Sequence, residues 1–378
     1  MNILYLSEDY IASKVHHELV SRLSRFGHNI TVFSVLRLVD IDSDIRYTYQ
    51  AIDYKVCTFP LHQYLEIPYK LFFSFKMRLK FTNLMKQIDP LKIDFIHAAT
   101  LFSEGSLAYE LFKRYNIPYS VAVRGTDIEL YLSKMPHLWK VGREILKNAY
   151  RIIFVSPIIQ EKFKKKKSIA KLYPLIADKC TVISNGIEDY WIQNQRNSDN
   201  GSMPHPRDVL YIGRFDENKN VESLIKAVLA LRESIPDIKL NLVGGGDSCH
   251  KAILAYCEKY PNNISYLGKI YDKDKLLKVM RDNQIFAMVS HLETFGLVYL
   301  EALSQGLPIL YSEGQGIDKS VPDDVGEKAI STSQDDITNK LRKLIINFRS
   351  YRQLGDKLLD FSWDKVAEKY SNIFNHSL

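Results

Sequence analysis

Apolar residues alternate between strand-like runs and helical spacing from the start of the chain. Residues 3–6 form a short apolar run, and Val15, Leu19 and Leu23 then recur at the spacing of one helix face. Residues 30–35 are again β-branched and apolar. This order predicts a strand–helix–strand unit with parallel strands.

The same rhythm continues and then restarts after residues 197–206, a polar stretch with Gly and Pro that is typical of an inter-domain linker. Further strands are predicted at 95–96, 119–123, 151–155, 209–212, 240–243, 264–267, 285–289 and 308–311, and helices at 221–231 and 297–304. The pattern predicts an α/β protein of two Rossmann-like, doubly wound domains, at 1–200 and 206–360. In such sheets ligands bind at the carboxyl ends of the strands, so we expect the site between the two halves.

Composition agrees with a folded protein that has more than one core. The 378 residues are 46% hydrophobic and 25% charged, and the length exceeds what one core normally serves. Apolar runs stay well short of the roughly 20 residues that span a bilayer, and the first residues do not read as a signal peptide. Four cysteines without C-x-x-C spacing indicate reduced, structural thiols. We expect a cytoplasmic protein that is at most peripheral on the inner face of the cell membrane.

Charge is distributed unevenly along the chain. Residues 1–205 hold 28 basic and 20 acidic residues, whereas residues 206–378 hold 23 and 24, so the halves carry +8 and −1. A surplus confined to one half indicates that this half meets an anionic partner.

The strongest local motif follows the strand predicted to end near Ser290. A helix is predicted to begin near Gly296, and its free amides and dipole form an anion site. Glu293 lies in the turn and Glu301 about one turn into the helix, so both carboxylates can face one ligand. Alternatively, Glu293 is only a helix-start acid and Glu301 a solvated residue.

A second motif places two cations after the first strand of the second half. Gly213 precedes Arg214, and Lys219 follows at the mouth of the next helix. Two such cations can neutralise a diphosphate without a metal. An exposed polar loop is the alternative. The glycines at 244–246 could let backbone approach a base or ribose, or could form a plain tight turn.

Together these motifs resemble the retaining GT-B glycosyltransferases of the GT4 family. The resemblance rests on Gly213-Arg214 with Lys219, the turn at 244–246, Glu293 and Glu301 at E-x7-E spacing, and Gly306-x-Pro308. It covers most of the chain, because residues 182–187 are similar to the family's segment leading into the second domain. Residues 361–378 are similar to its C-terminal helix, which crosses back to the first domain.

The resemblance implies a role for each matching position. Arg214 and Lys219 would hold the donor diphosphate and stabilise the departing nucleotide. Glu293 would contact the donor sugar and Glu301 the ribose. Phosphate or nucleotide would lie against Phe295, Gly296, Leu297, Gly213 and Gly245. The family looks metal-independent, so no metal or cofactor is expected at the strings Asp42-Ser-Asp44 and Asp272-Lys-Asp274.

The chain departs from the family in its first half. The first βα loop, residues 7–14, lacks the usual glycines, so acceptor contact there would use side chains or another path. Arg124 stands where the family often has a histidine; an arginine cannot act as a general base, so its role would be electrostatic. Asp127 could orient Arg124 or contact an acceptor hydroxyl, or it could cap a helix. His97 ends a strand facing the expected cleft, and a structural role for it is equally open.

Basic and aromatic residues interleave in the first half. Residues 69–81 contain no acid and could lie in a membrane interface, with their lysines reaching anionic headgroups. The alternative is a half-buried helix with a solvated basic face. Residues 162–167 form a lysine-rich run that could equally be a solvated loop. No nucleic-acid motif accompanies these residues, so nucleic acid is not expected as a partner.

We therefore interpret the chain as a retaining glycosyltransferase. It would move a sugar from a nucleotide-diphosphate donor, UDP rather than GDP, to a hydroxyl of a glycan, glycoprotein or lipid-linked acceptor in cell-surface polysaccharide, glycoprotein or glycolipid synthesis. The donor phosphate would assist same-face attack, with no enzymic nucleophile evident. The main alternative is a non-catalytic GT-B subunit that binds acceptor for a partner enzyme. An epimerase would need an acid/base pair that the sequence does not offer.

Overall fold

The computed structural model describes residues 1–11, 13–36, 55–60, 73–196, 207–246 and 248–376. Two compact units make up the chain. The first comprises residues 1–155, 159–186 and 363–378, and the second residues 156–158 and 187–362. The predicted linker at 197–206 lies outside the described residues.

Parallel strands form the sheet of the first unit. The strands are β1 (Asn2–Leu6), β2 (Asn29–Leu36), β3 (Lys55–Pro60), β4 (Phe95–Ala98), β5 (Tyr119–Val123), β6 (Arg151–Phe154) and β7 (Cys180–Val182). Their order is β3-β2-β1-β4-β5-β6-β7. Asn2 of β1 pairs with Asn29 of β2, and Ile3 with Phe95 of β4, so the strand order reverses direction at β1. Such a reversal is the usual binding edge of a doubly wound sheet.

Helices cover both faces of this sheet. They are α1 (Lys14–Arg25), α2 (Phe73–Gln87), α3 (Ser103–Tyr115), α4 (Trp139–Asn148), α5 (Pro157–Lys164) and α6 (Lys167–Ala170). Side chains alternate along β1: Leu4 and Leu6 belong to one buried cluster, and Ile3 and Tyr5 to another on the opposite face. Burial on both sides explains why these strands read as continuous apolar runs.

Within the second unit the strands are β8 (Asp208–Gly213), β9 (Lys239–Gly244), β10 (Ile264–Gly268), β11 (Ile285–Ala287), β12 (Ile309–Ser312) and β13 (Gly326–Ala329). They are parallel, in the order β10-β9-β8-β11-β12-β13. The helices of this unit are α7 (Asp189–Gln193), α8 (Val221–Leu231), α9 (His250–Lys259), α10 (Lys273–Asp282), α11 (Leu297–Ser304) and α12 (Gln334–Ile346). The strand order reverses between β8 and β11.

The C-terminal helix, α13 (Trp363–Asn375), packs within the first unit. Val366, Tyr370 and Phe374 are buried in the cluster that also contains Leu19 of α1. Ser371 of this helix and the ring Nε2 of His28 lie 2.8 Å apart. The last residues of the chain therefore complete the core that its first residues begin.

The predicted fold class is confirmed, and several elements match closely. Helices at 221–231 and 297–304 begin and end as predicted. Strands β3, β7 and β13 were not predicted. The four residues of β13 are Gly-Glu-Lys-Ala, and β7 has three residues and ends the ladder, so neither carries an apolar pattern.

No helix in the described part of the chain is both long enough and apolar enough to cross a bilayer. The lysine-rich run at 162–167 is not one loop. Its first residues end α5, and Lys166 precedes α6 with its ammonium 2.6 Å from the Ser133 hydroxyl.

Candidate functional site

Arg214 and Lys219 are held at the carboxyl edge of β8 by one carboxylate. The Arg214 guanidinium lies 2.9 Å from Asp216 Oδ2 and stays 67% exposed. Asp216 Oδ1 accepts the backbone amide of Lys219 at 2.8 Å, which caps the short turn between them. The Tyr211 hydroxyl fixes the loop further by donating to the Arg214 carbonyl at 2.7 Å. Local hydrogen bonds therefore position both predicted cations.

Lys219 also contacts the predicted sugar-binding carboxylate. Its ammonium lies 2.7 Å from Glu293 Oε2, and both side chains are mostly buried. This ion pair joins the loop after β8 to the loop after β11. The structure thus brings together Gly213, Arg214, Lys219 and Glu293 within the second unit.

Asparagines that the sequence analysis did not select lock the same two loops together. The Asn218 side chain donates to the Leu292 carbonyl and accepts the Leu292 amide, both at 2.9 Å. Asn220 has a left-handed backbone, with φ of 54°, and donates to the carbonyls of Val289 and Ser331. Asparagine tolerates this conformation better than most residues. The signal in the sequence is weak, because a loop asparagine has many possible reasons.

The turn before α11 depends on Gly296 and on contacts to Glu293. Gly296 has φ of 82°, and a Cβ there would lie 2.7 Å from the Tyr299 ring. Glu293 Oε1 accepts the Thr294 amide at 3.0 Å, and the Glu293 amide donates to Gln315 Oε1 at 3.3 Å. The carboxylate is therefore oriented by its own turn as well as by Lys219.

The first turn of α11 is suited to an anion. No described side chain caps it, and no acidic residue lies in its first turn. The leading amides of a helix lack intrahelical acceptors and carry the positive end of its dipole, which suits an anion. Leu297 begins this helix and Glu301 is half-buried in its second turn. Phe295 is fully buried in the core, so only its backbone can face a ligand.

The glycine turn after β9 is required by backbone packing. Gly244 has φ of 133° and pairs with Gly213 of β8, and a Cβ on Gly244 would overlap the Gly213 carbonyl. Gly245 follows it beside Tyr266 and His250. A tight turn therefore accounts for Gly244, and ligand contact at Gly245 stays a prediction.

Asp127 lies in the first unit and is buried. Its carboxylate accepts the amides of Arg124 at 2.9 Å, Leu101 at 3.2 Å and Phe102 at 3.3 Å. Burial raises the pKa of this carboxyl to about 6, and the three hydrogen bonds oppose the rise. Asp127 therefore holds backbone amides of two neighbouring loops, and its buried carboxylate is not exposed to an acceptor hydroxyl. It is the N-cap of neither adjacent helix, so the capping alternative does not describe it. The Nε of Arg124 donates to the Ala99 carbonyl at 2.8 Å, and an electrostatic role for Arg124 stays a prediction.

His97 is a core residue. Its Nδ1 lies 2.9 Å from the Ser120 hydroxyl, and its ring contacts Tyr5 and Tyr370. Burial lowers the pKa of His97 to about 3, so the ring is neutral. These contacts support a structural role for His97.

The first βα loop is held by a buried charged cluster that the sequence analysis missed. Glu8 forms an ion pair with Lys80, and its amide donates to Glu104 Oε1 at 2.7 Å. Thr100 donates to the other Glu104 oxygen. Lys80 is fully buried, and burial lowers its pKa to about 7. The expectation that every lysine of 69–81 reaches headgroups is therefore wrong for Lys80, because its partner is Glu8.

The second Asp-x-Asp string, Asp272-Lys-Asp274, forms hydrogen bonds within the protein. Asp272 caps α10 by accepting the Lys275 amide, and Asp274 accepts the Tyr190 hydroxyl. Asp42 and Asp44 lie outside the described residues. Across the described residues, His, Cys, Asp and Glu side chains nowhere gather in a group of three that could hold a metal ion.

Comparison with known proteins places this arrangement in a family. Residues 193–358 match the family described as Glycosyl transferases group 1, and residues 12–190 match Glycosyltransferase Family 4. An uncharacterised glycosyltransferase of Methanocaldococcus jannaschii is 25% identical over 73% of this chain and 73% of its own length. D-inositol 3-phosphate glycosyltransferase of Corynebacterium diphtheriae is 24% identical over 56% of this chain, and the match spans 54% of that protein.

A solved structure shows the same fold at low identity. Anabaena HepE in complex with UDP-glucose is 17% identical, with a TM-score of 0.68 over 100% of both chains. With both halves of the chain matched and two doubly wound sheets present, the chain belongs to the GT4 family of glycosyltransferases with the GT-B fold.

Proposed function

We propose that the protein is a retaining, metal-independent glycosyltransferase that uses a UDP-sugar and a glycan, glycoprotein or lipid-linked acceptor. The observation that carries the proposal is the Lys219–Glu293 ion pair of 2.7 Å beside the uncapped start of α11. It puts a cation, a carboxylate and free amides at one edge of one sheet. The cation and the free amides suit the diphosphate of a sugar nucleotide, and the carboxylate suits its sugar hydroxyls.

The diphosphate would be held by charge that the protein supplies itself. Arg214 projects into solvent with Asp216 at its base, and Lys219 shares its charge with Glu293. Two cations and a helix N-terminus can stabilise the negative charge that develops on the departing nucleotide. The role of Lys219 is then to exchange part of its contact with Glu293 for a phosphate oxygen.

In the proposed reaction the bond between the anomeric carbon and the phosphate oxygen breaks, and the acceptor oxygen bonds to that carbon on the same face. The acceptor proton passes to the phosphate oxygen that leaves. Glu293 lies in the turn before α11 with one oxygen on Thr294 and the other on Lys219, so its position is fixed before the donor binds. Such fixed charges lower the barrier by positioning and electrostatics.

Support for UDP comes from the HepE complex with UDP-glucose, whose fold this chain shares. Support for an acidic or lipid-linked acceptor comes from the first half of the chain, which carries the whole basic surplus. We assign the first unit, which includes the C-terminal helix, to acceptor binding, and the second unit to the donor.

A panel of nucleotide sugars tests the proposal. The protein is incubated in EDTA with UDP- and GDP-sugars and an acceptor extract, and nucleotide release and the anomeric configuration of the product are measured. We expect acceptor-dependent release of UDP with retention. Binding of a UDP-sugar without release in any extract would instead identify a non-catalytic binding subunit. Sugar interconversion without release would identify an epimerase. Loss of all turnover in EDTA would contradict the proposal that the enzyme needs no metal ion.

A further inference from the structure

A cavity of about 590 Å³ lies on the first unit, among helices α2, α3 and α4. Its size falls within the roughly 300–1,000 Å³ of ligand pockets. The floor is apolar and is lined by Phe73, Met77, Phe81 and Leu107. These residues belong to helices of the first unit, so the cavity is separate from the candidate donor site in the second unit.

The rim of the cavity is charged, and its charges do not cancel. Glu110 pairs with Lys113 and Arg114, and Glu144 pairs with Lys147. Within the described segments, Arg78 and Lys140 line the cavity without any ion pair or side-chain hydrogen bond to another residue. Among the described residues, the cavity mouth therefore offers two cations that no carboxylate pairs with.

The surface around the mouth is both basic and apolar. Besides the buried Lys80, helix α2 carries three basic residues and no acidic residue. Phe75 on this helix is 48% exposed, and Val141 at the rim is 36% exposed. Large apolar side chains next to unpaired cations are what a membrane interface accommodates.

We propose that this cavity is a binding site for an anionic membrane lipid. One hydrocarbon chain lies on the apolar floor, and the lipid phosphate meets Arg78 and Lys140. The chain would replace water against Phe73, Met77 and Phe81, and charge-assisted hydrogen bonds would hold the phosphate. The apolar floor favours a lipid over a nucleotide or a free sugar phosphate, because neither of these has a hydrocarbon chain to displace water from the floor. The inference does not rest on the proposed function, because it concerns a different unit and needs no sugar donor.

Vesicle binding tests the lipid and its two cations. Sedimentation is measured at low salt with phosphatidylcholine vesicles, with and without phosphatidylglycerol, in the absence of any sugar nucleotide. Each basic residue at an anionic surface contributes about 1 kcal/mol, or roughly a factor of five. We expect retention only on anionic vesicles, and about a 25-fold weaker partition for Arg78→Gln with Lys140→Gln. The matched control is Lys275→Gln with Lys278→Gln, which removes the same charge from the exposed side of α10.

An equal loss in both double variants would show non-specific charge attraction and would overturn the site, as would no retention of the wild type. Because Arg78 and Lys140 are exposed, neither change is expected to unfold the protein, and circular dichroism checks this.

Alkyl phosphates of different length test whether the cavity binds a hydrocarbon chain. Binding of inorganic phosphate, hexyl phosphate and decyl phosphate is followed by calorimetry below micelle formation. Each buried methylene contributes about 0.8 kcal/mol, or roughly fourfold. We therefore expect decyl phosphate to bind at least about tenfold tighter than hexyl phosphate, and Val141→Trp, which narrows the mouth, to remove that difference. Equal affinity for the two alkyl phosphates, or for inorganic phosphate, would overturn the chain site.

Discussion

Replacing Lys219 by alanine is expected to lower kcat/KM for the sugar nucleotide by roughly 100- to 1,000-fold, the usual loss when one group that stabilises developing charge is removed. The ammonium lies 2.7 Å from Glu293, and no other residue makes that contact in the described structure. Its loss removes a cation from the phosphates and also leaves the Glu293 carboxylate facing the donor uncompensated. Initial rates against donor concentration, at saturating acceptor, measure the effect.

The matched control is Lys275→Ala, which removes an exposed lysine of α10 from the same unit. It should change kcat/KM by less than about twofold, since surface substitutions away from special features change energies by no more than about 0.5 kcal/mol. Equal rates for Lys219→Ala and the control would show that Lys219 does not act on the donor.

Replacing Lys80 by methionine is expected to destabilise the protein by about 3–5 kcal/mol, the cost of leaving a buried charge without its partner. Lys80 is fully buried in α2 and pairs with Glu8, whose own side chain is only 7% exposed. Methionine keeps the volume and removes the charge, so the buried Glu8 carboxylate loses the ammonium of Lys80. Urea unfolding, followed by circular dichroism, measures the free energy of unfolding.

Two further variants separate charge from packing at this position. Lys86→Met makes the same change at an exposed position of the same helix and should cost less than about 1 kcal/mol. Adding Glu8→Gln to Lys80→Met should recover much of the loss, because a neutral amide then replaces the buried carboxylate that has lost Lys80. A loss below about 1 kcal/mol for Lys80→Met alone would contradict the buried ion pair.

The second unit could be predicted well because its signals are local. Arg214 follows a strand, Glu293 and Glu301 are separated by seven residues, and a glycine precedes α11, so short segments carry the pattern. What the sequence could not show is how the loops meet. Asn218 and Asn220 bridge to Leu292 and Val289, about 70 residues away, and only the folded sheet brings these residues together.

The first unit was predicted less well because its chemistry depends on burial. Lys80 sits in a basic stretch that looks solvated, yet its partner Glu8 lies 72 residues earlier. Asp127 follows a strand and His97 was predicted to end one, so both looked available to a ligand, but backbone amides bind Asp127 and a hydroxyl contacts His97. Residues with the same position relative to a strand can face either a ligand or the core. Which of the two they face depends on how the helices pack against the sheet.

The loop after β8 and the start of α11 are proposed to bind a nucleoside diphosphate through protein charges alone. Calorimetric titration of UDP and of uridine, both in EDTA, tests it most directly. Hydrogen bonds to charged groups contribute about 1.5–3 kcal/mol each, so two cations predict UDP binding at least about 100-fold tighter than uridine. Lys219→Ala should remove most of that preference. Equal affinity for UDP and uridine, or a preference that survives in Lys219→Ala with Arg214→Ala, would contradict the claim.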